Sequence, residues 1–203
     1  MRRLLLIVFL LTAAAVAQKA GPGTLLLANP KVTSGQFRHA VVLIIGAGPK
    51  GAAGLVLNRP GTEALSHVFV DVASAHARTD TAYWGGPVAP KSRFCLVVVD
   101  GKLREARLVL PGLYFSNKQD LMDLALNAQQ QAMTFRVYLG YTGWNRNQLD
   151  QELKQGLWTV QTATKAEIFD ADPATLWTRL TAPSKEPSVK VRTWRPKSQS
   201  QPK

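Results

Sequence analysis

Gly140-Tyr141-Thr142-Gly143-Trp144 is the stretch of this sequence best equipped to hold a ligand. Strand-like residues 134–139 run into it, and the segment 145–156 that follows carries Leu149 and Leu153 at helical spacing, Gln148 and Glu152, and Gly156 as a stop. A strand ending where a helix begins would present free backbone amides beside the Thr142 hydroxyl and two aromatic rings. That is a setting for a small polar or anionic group. The same residues also suit a structural part, with Gly140 and Gly143 making the turn while Tyr141 and Trp144 plug the core.

Proton-moving chemistry is sparsely supplied. His39, His67 and His76 are scattered without metal-ligand spacing. Ser34, Ser66 and Ser92 lack the G-x-S-x-G context of an activated nucleophile. Cys95 falls within an alternating strand and reads as a buried, inert thiol. Because it is the sole cysteine, an internal disulfide framework and a cysteine zinc site are excluded. Asp150 and Glu152 stand two apart on one helix and face different directions, so they form no acid–base pair. No catalytic residue, cofactor or metal ligand is assigned, and an enzyme acting near Trp144 remains the alternative to a binding protein.

The run from Val41 to Gly51 imitates a dinucleotide fingerprint: an apolar strand, then Gly46, Gly48 and Gly51 in GxGxxG order, with Asp71 where a ribose-binding acid could stand. The helix that such a site requires is missing. Gly54 interrupts the next segment, Leu55-Val56-Leu57 favours extended chain and Pro60 closes it. The glycines instead fit a hairpin loop between strands 41–45 and 54–58. Lys50 is followed by Gly51 rather than Ser or Thr, so there is no Walker motif either.

The elements that must position these residues follow from patterning. Strands are expected at 24–28, 41–45, 54–58, 93–99, 107–110 and 134–139. A helix from Thr62 would carry the stripe Leu65, Val68, Phe69 and Val72. A second would open on a Ser116/Gln119 capping box and share Leu121, Leu124, Ala125 and Ala128 on one face. A third occupies 145–156, and Asp172-Pro173 opens a last short one. With 203 residues, 46% of them hydrophobic, the chain can bury a full core, and its mixed order of elements makes it α+β.

Met1-Arg2-Arg3 followed by an apolar or small run to Ala17, ending in Ala15-Val16-Ala17, has the parts of a secretory signal, which places the mature chain outside the cytoplasm. The run is too short for an ordinary membrane span. At the other end, residues 181–203 set six lysines and arginines against Glu186 alone, contributing +5 of the chain's net +12. Four prolines and a polar remainder give that segment nothing to bury. It reads as a disordered basic tail able to rest on an anionic envelope surface, or simply as a solvated one. No helix-turn-helix, zinc finger or RNA-binding aromatic motif is present, which argues against sequence-specific DNA recognition.

Taken in order, several segments resemble the YqgE/AlgH family, also called UPF0301 or DUF179. They are Gly23-Thr24-Leu25-Leu26-Leu27-Ala28-Asn29-Pro30, Phe37 leading into Val41-Val42, Gly51-Ala52-Ala53-Gly54-Leu55-Val56-Leu57-Asn58-Arg59-Pro60, and Gly85-Gly86-Pro87-Val88. Most specific is Gly140-Tyr141-Thr142-Gly143-Trp144 running to Gln148-Leu149, Glu152-Leu153 and Trp158. Ile168-Phe169-Asp170 with Trp177 closes the set. The resemblance implies an α+β body over residues 18–180, with a mixed, bifurcated or partly barrel-like sheet and flanking helices. It brings no established reaction or cofactor, although some members are described as transcriptional regulators linked to exopolysaccharide genes. Such a role conflicts with export, a leader that members normally lack. Two further departures are Ser34-Gly35 where members carry Asp-Pro, and Asn147 where they carry Gly. Asn147 tolerates the same left-handed backbone. If the family motifs converge, Asn58, Arg59, Gly85, Gly86, Thr142, Trp144 and Gln148 should line one concavity as the ligand site.

Overall fold

The computed structural model describes residues 19–32, 35–127 and 134–183; the apolar leader, Ser34 and the basic tail from residue 184 lie outside the described residues. Within these, ten strands and five helices build one sheet with helices against its faces. The strands are β1 (Thr24–Ala28), β2 (Val41–Gly48), β3 (Gly51–Val56), β4 (Pro60–Ala64), β5 (Thr81–Trp84), β6 (Val88–Val98), β7 (Arg107–Leu110), β8 (Leu113–Ser116), β9 (Phe135–Asn145) and β10 (Trp158–Thr162). The main path runs β10-β1-β2-β3-β9-β6-β8-β7 and is antiparallel throughout.

The fork in this sheet lies on β9. Its C-terminal part, Thr142 to Asn145, pairs with β3, while Tyr138 and Leu139 pair in parallel with Tyr83 and Trp84 of β5, which continues to β4. Gly140, in the left-handed region at φ +69°, marks the change. Before it, Tyr138 faces one apolar cluster while Val137 and Leu139 face another; after it, Tyr141 is back on the Tyr138 side. Only glycine enters this conformation without steric cost, so one residue resets the side-chain alternation. The sheet also curls: β7 approaches β2, and Gly23 lies against Val109 and Leu110. The bifurcated, partly barrel-like sheet implied by the resemblance is therefore present, with an open seam between β7 and β2.

Three apolar layers hold the fold. Leu25, Leu43, Leu55, Phe94 and Leu96 fill the inside of the curl, closed by Ile168 and Leu176 from α4 (Lys165–Ile168) and α5 (Pro173–Thr181). Leu26, Val42, Ile44 and Val56 pack outward against Trp144, Trp158 and Leu149 of α3 (Gln148–Lys154). Leu65 of α1 (Leu65–Val68) and Met122 and Leu126 of α2 (Gln119–Asn127) cover Cys95 and Val137. β1 is buried along its whole length because it serves two layers at once.

Several expectations need correction. The helix expected from Thr62 shrinks to one turn at Leu65–Val68, because Pro60–Ala64 is drawn into a pairing with β5. Ser116 makes no capping box: its hydroxyl accepts from the Lys118 amide, and Gln119 bonds Asp123 instead. A capping box forms where none was foreseen, between Thr164 and Glu167. The hairpin at 41–58 is present, yet Gly46, Gly48 and Gly51 lie within its strands and the turn falls at Pro49-Lys50. Asn147 does take the left-handed backbone, at φ +65°. Gly156, at φ +69°, ends α3 in a Schellman motif, with Leu157 N bonding Glu152 O and Gly156 N bonding Leu153 O.

Candidate functional site

The expected ligand loop is a strand. β9 continues through Gly140 to Asn145, and α3 begins only at Gln148, so no helix N-terminus opens beside Thr142. Backbone pairing to β3 occupies Thr142 to Asn145, which explains why two glycines here did not break the strand. Of the seven residues expected to share one concavity, Arg59, Gly85, Gly86 and Thr142 lie on adjoining segments, with Trp84 N bonding Arg59 O and Gly86 against the Thr142 amide, while Trp144 and Gln148 turn to Glu152.

Asn58 is buried and bridges loop to sheet, accepting from Val41 N at 2.9 Å and donating to His39 O at 2.8 Å. Arg59 donates to the carbonyls of Asn58 and Arg38, and burial lowers its guanidinium pKa from the usual value. Gly85 and Gly86 stand at the fork: Gly85 N bonds Leu139 O and Gly85 O accepts from Val56 N. A Cβ on either would collide with the backbone of Gly140 or Tyr141. Their absence of side chain allows two strands to touch rather than a ligand to enter. Thr142 is buried beside β3, in register with Gly54.

Trp144 and Gln148 belong to a clamp that patterning did not reveal. The indoles of Trp144 and Trp158 both donate to Oε2 of Glu152, at 2.8 and 2.7 Å, and Gln148 Nε2 donates to Oε1 at 2.9 Å. Gln148 Oε1 in turn accepts from Asn145 N. The two indoles meet edge to face at 6.0 Å. One carboxylate thus ties β9, α3 and β10 together. The i, i+4 spacing of Gln148 and Glu152 was the available signal; the Trp158 contact is tertiary.

An open cleft lies instead at the mouth of the curled sheet, about 690 Å³ in volume, between the tip of the β2–β3 hairpin, the end of β9 and the start of β7. Gly46, Gly48, Gly51 and Ala53 form its floor, Val88 and Tyr141 its walls, and Trp144 is the one expected site residue on its border. Lys50 and Arg107 bring charge. Neither has an ion pair among the described residues. Arg107 reaches across the seam over Gly46, where any Cβ would collide with its guanidinium. β1 pairs with β2 only from Val41 to Leu43, so among the described residues no strand pairs with the edge of β2 at Gly46 to Gly48 on that side. A second cleft, about 570 Å³, adjoins it at the same hairpin, with Lys19 and Asp150 in its lining.

The three histidines do not gather. His39 stacks on Trp177 at 4.1 Å, His76 Nε2 bonds Val70 O, and His67 sits exposed on α1. Cys95 is buried, and burial pushes its thiol pKa up to about 12, which keeps it protonated and unreactive.

A family model described as DUF179, AlgH-like, matches residues 25–186. The chain belongs to the AlgH-like family. Relatives of this family include the UPF0301 protein of Mycobacterium tuberculosis, 32% identical over 168 residues that cover 81% of this chain and 82% of that one. The Mycobacterium leprae UPF0301 protein is also 32% identical, over 177 residues covering 82% of this chain and 84% of its own. The solution structure of the AlgH protein from Pseudomonas aeruginosa superposes with a TM-score of 0.66 at 27% identity, covering 81% of this chain and 91% of that one. A crystal structure from Corynebacterium diphtheriae has TM-score 0.67 at 22% identity, covering 80% and 86%, and shares the fold. The AlgH-like match begins at residue 25, beyond the apolar run that ends at Ala17.

Proposed function

We propose that this AlgH-like chain is an exported binding protein that holds a small polar or anionic ligand at the hairpin cleft and does not transform it. The observation that carries the reading is the chemistry of the cleft lining: backbone of glycine and alanine, an aromatic wall, and two unpaired cations, Lys50 and Arg107. Such a lining grips and orients. Proton transfer near neutral pH would need a carboxylate, imidazole or activated hydroxyl within reach of the ligand. Export is supported by the basic start and apolar run ending at Ala17, and the +5 of residues 181–203 supplies a tether to anionic envelope polymers or head groups.

Fractionation with N-terminal sequencing tests the location. A periplasmic or secreted chain beginning at Gln18 is expected, and an intact Met1 in the cytoplasm would overturn export and favour a transcription-linked role. An esterase, phosphatase and glycosidase panel tests the binding role. Turnover of any of these substrates that disappears in Arg107→Gln would make the protein an enzyme instead.

A further inference from the structure

From the geometry of the barrel mouth we infer that the cleft is selective for a phosphate-bearing small molecule, with Arg107 as the residue that grips the phosphate. The inference deepens the binding reading above and rests on it. Three independent features converge. Arg107 is an exposed edge-strand residue whose guanidinium lies over Gly46, a position with no side chain in its way. It finds no carboxylate there, because the cleft lining contains none among the described residues. Lys50, in the hairpin turn at the other border, adds a second unpaired cation.

Two cations with no counter-charge favour a dianion over a monoanion, and a planar guanidinium matches phosphate oxygens bidentately. Among the described residues the edge of β2 from Gly46 to Gly48 has no ladder partner on the β1 side, so peptide groups there remain for hydrogen bonding. Gly46, Gly48, Gly51 and Ala53 offer the body of the ligand backbone and little side chain, with Tyr141 and Val88 also lining the cleft. Tyr141 meets Phe94 edge to face, with ring centroids 5.7 Å apart. The Asp150 carboxylate lines the neighbouring cleft, which shares Gly48, Gly51 and Asn145 with this one, and is not part of this lining.

The test is a set of titrations of the ¹⁵N-labelled full chain, as purified from cells, with phenyl phosphate, inorganic phosphate and benzyl alcohol. The readout is the amide signals of Gly46, Ala47, Gly48, Gly51 and Gly143. Saturable shifts of these signals with phenyl phosphate and much weaker ones with benzyl alcohol are expected. Arg107→Gln should weaken phenyl phosphate by about tenfold or more, and Lys50→Gln by less. Gly46→Ala provides a variant that keeps every charge. Its new methyl displaces only the far end of a flexible side chain, and Gly46 has no left-handed backbone to strain. It should weaken binding severalfold with an unchanged unfolding midpoint. Equal affinity for inorganic phosphate would assign free phosphate as the ligand class, and tighter binding of phenyl phosphate would assign an ester.

Cleft shifts of equal strength with benzyl alcohol, or phenyl phosphate binding indifferent to Arg107→Gln, would overturn the phosphate inference while leaving the cleft as a binding site. Phosphate shifts confined to other residues would overturn it too. No shift of the cleft amides with any probe would overturn both this inference and the reading on which it rests.

Discussion

Glu152 accepts three side-chain hydrogen bonds at 2.7–2.9 Å, two of them from indoles that are themselves buried. Glu152→Ala removes the acceptor and strands both indole donors between β9, α3 and β10. A buried donor left unpaired costs about 1–3 kcal/mol, and the half-buried position of Glu152 lets water recover part of that. Taking the lower part of that range for each indole and little for Gln148, the loss is about 2–3 kcal/mol. Glu152→Gln should cost only about 1 kcal/mol, because the amide oxygen still accepts from both indoles and Gln148 alone faces a donor. Urea unfolding followed by far-UV circular dichroism measures both without relying on the tryptophans being perturbed. With an ordinary urea dependence the alanine variant should unfold about 1 M earlier than the unaltered protein. Near-UV dichroism should change as well, since the indole pair loses the carboxylate that fixes its edge-to-face angle. If both variants unfold within about 0.5 kcal/mol of the unaltered protein, the clamp is a geometric coincidence and the reasoning fails.

Other consequences are open to measurement. Tyr138 is fully buried and its hydroxyl makes no hydrogen bond of ordinary geometry, although the Arg136 guanidinium lies near it, so Tyr138→Phe should leave the thermal midpoint unchanged or raise it, by at most about 0.5–1 kcal/mol; a clear loss would mean that Arg136 holds the hydroxyl. The hydrogen bond from Arg179 holds the Asp170 carboxyl below its usual pKa, so this contact stabilises above the unfolded value of about 3.9 and fades as pH falls through the lowered folded value. Half-exposed Arg179 keeps the effect under about 1 kcal/mol. Asp170→Asn should reduce stability near neutrality and flatten its acid limb, and an unchanged limb would contradict this. Cys95, with its thiol pushed up to about 12, should resist a disulfide reagent at pH 8 in the folded protein and react at once in urea. Fast reaction without denaturant would show that the strand opens readily.

The sequence revealed elements whose burial pattern is local and hid those that depend on partners. β1 was visible with its final bounds because an unbroken apolar run flanked by Gly23 and Asn29 has no other stable use. β4, β5, β8 and β10 were not, since each has only four or five residues and owes its extended form to the strand beside it. The main misreading concerned glycine. Gly140 and Gly143 were taken as a turn at a strand end, the usual meaning of two glycines after an apolar run. In the fold Gly140 resets the alternation, and Gly85 and Gly86 clear room for a crossing backbone, neither of which leaves a local pattern. Trp144 and Gln148, expected at a ligand site, bond instead to Glu152 one helix turn on, and Trp158 arrives from another strand.

This separation has a consequence for what family membership can say about ligands. Nearly every residue through which the chain resembles its family has a structural task here: Asn58 ties a loop, Gly85 and Gly86 permit the fork, and Trp144, Gln148, Glu152 and Trp158 form the clamp. The cations of the cleft, Lys50 and Arg107, stand outside those motifs, one in a hairpin turn and the other on an edge strand. Neither position is constrained by packing, so either can change without unfolding the sheet. On the binding reading proposed above, the curled sheet provides an open mouth and the charge at residues 50 and 107 decides what it accepts. Exchanging both cations for glutamate should invert the preference of the cleft from anions to cations while the clamp, the fork and the melting temperature stay as they are.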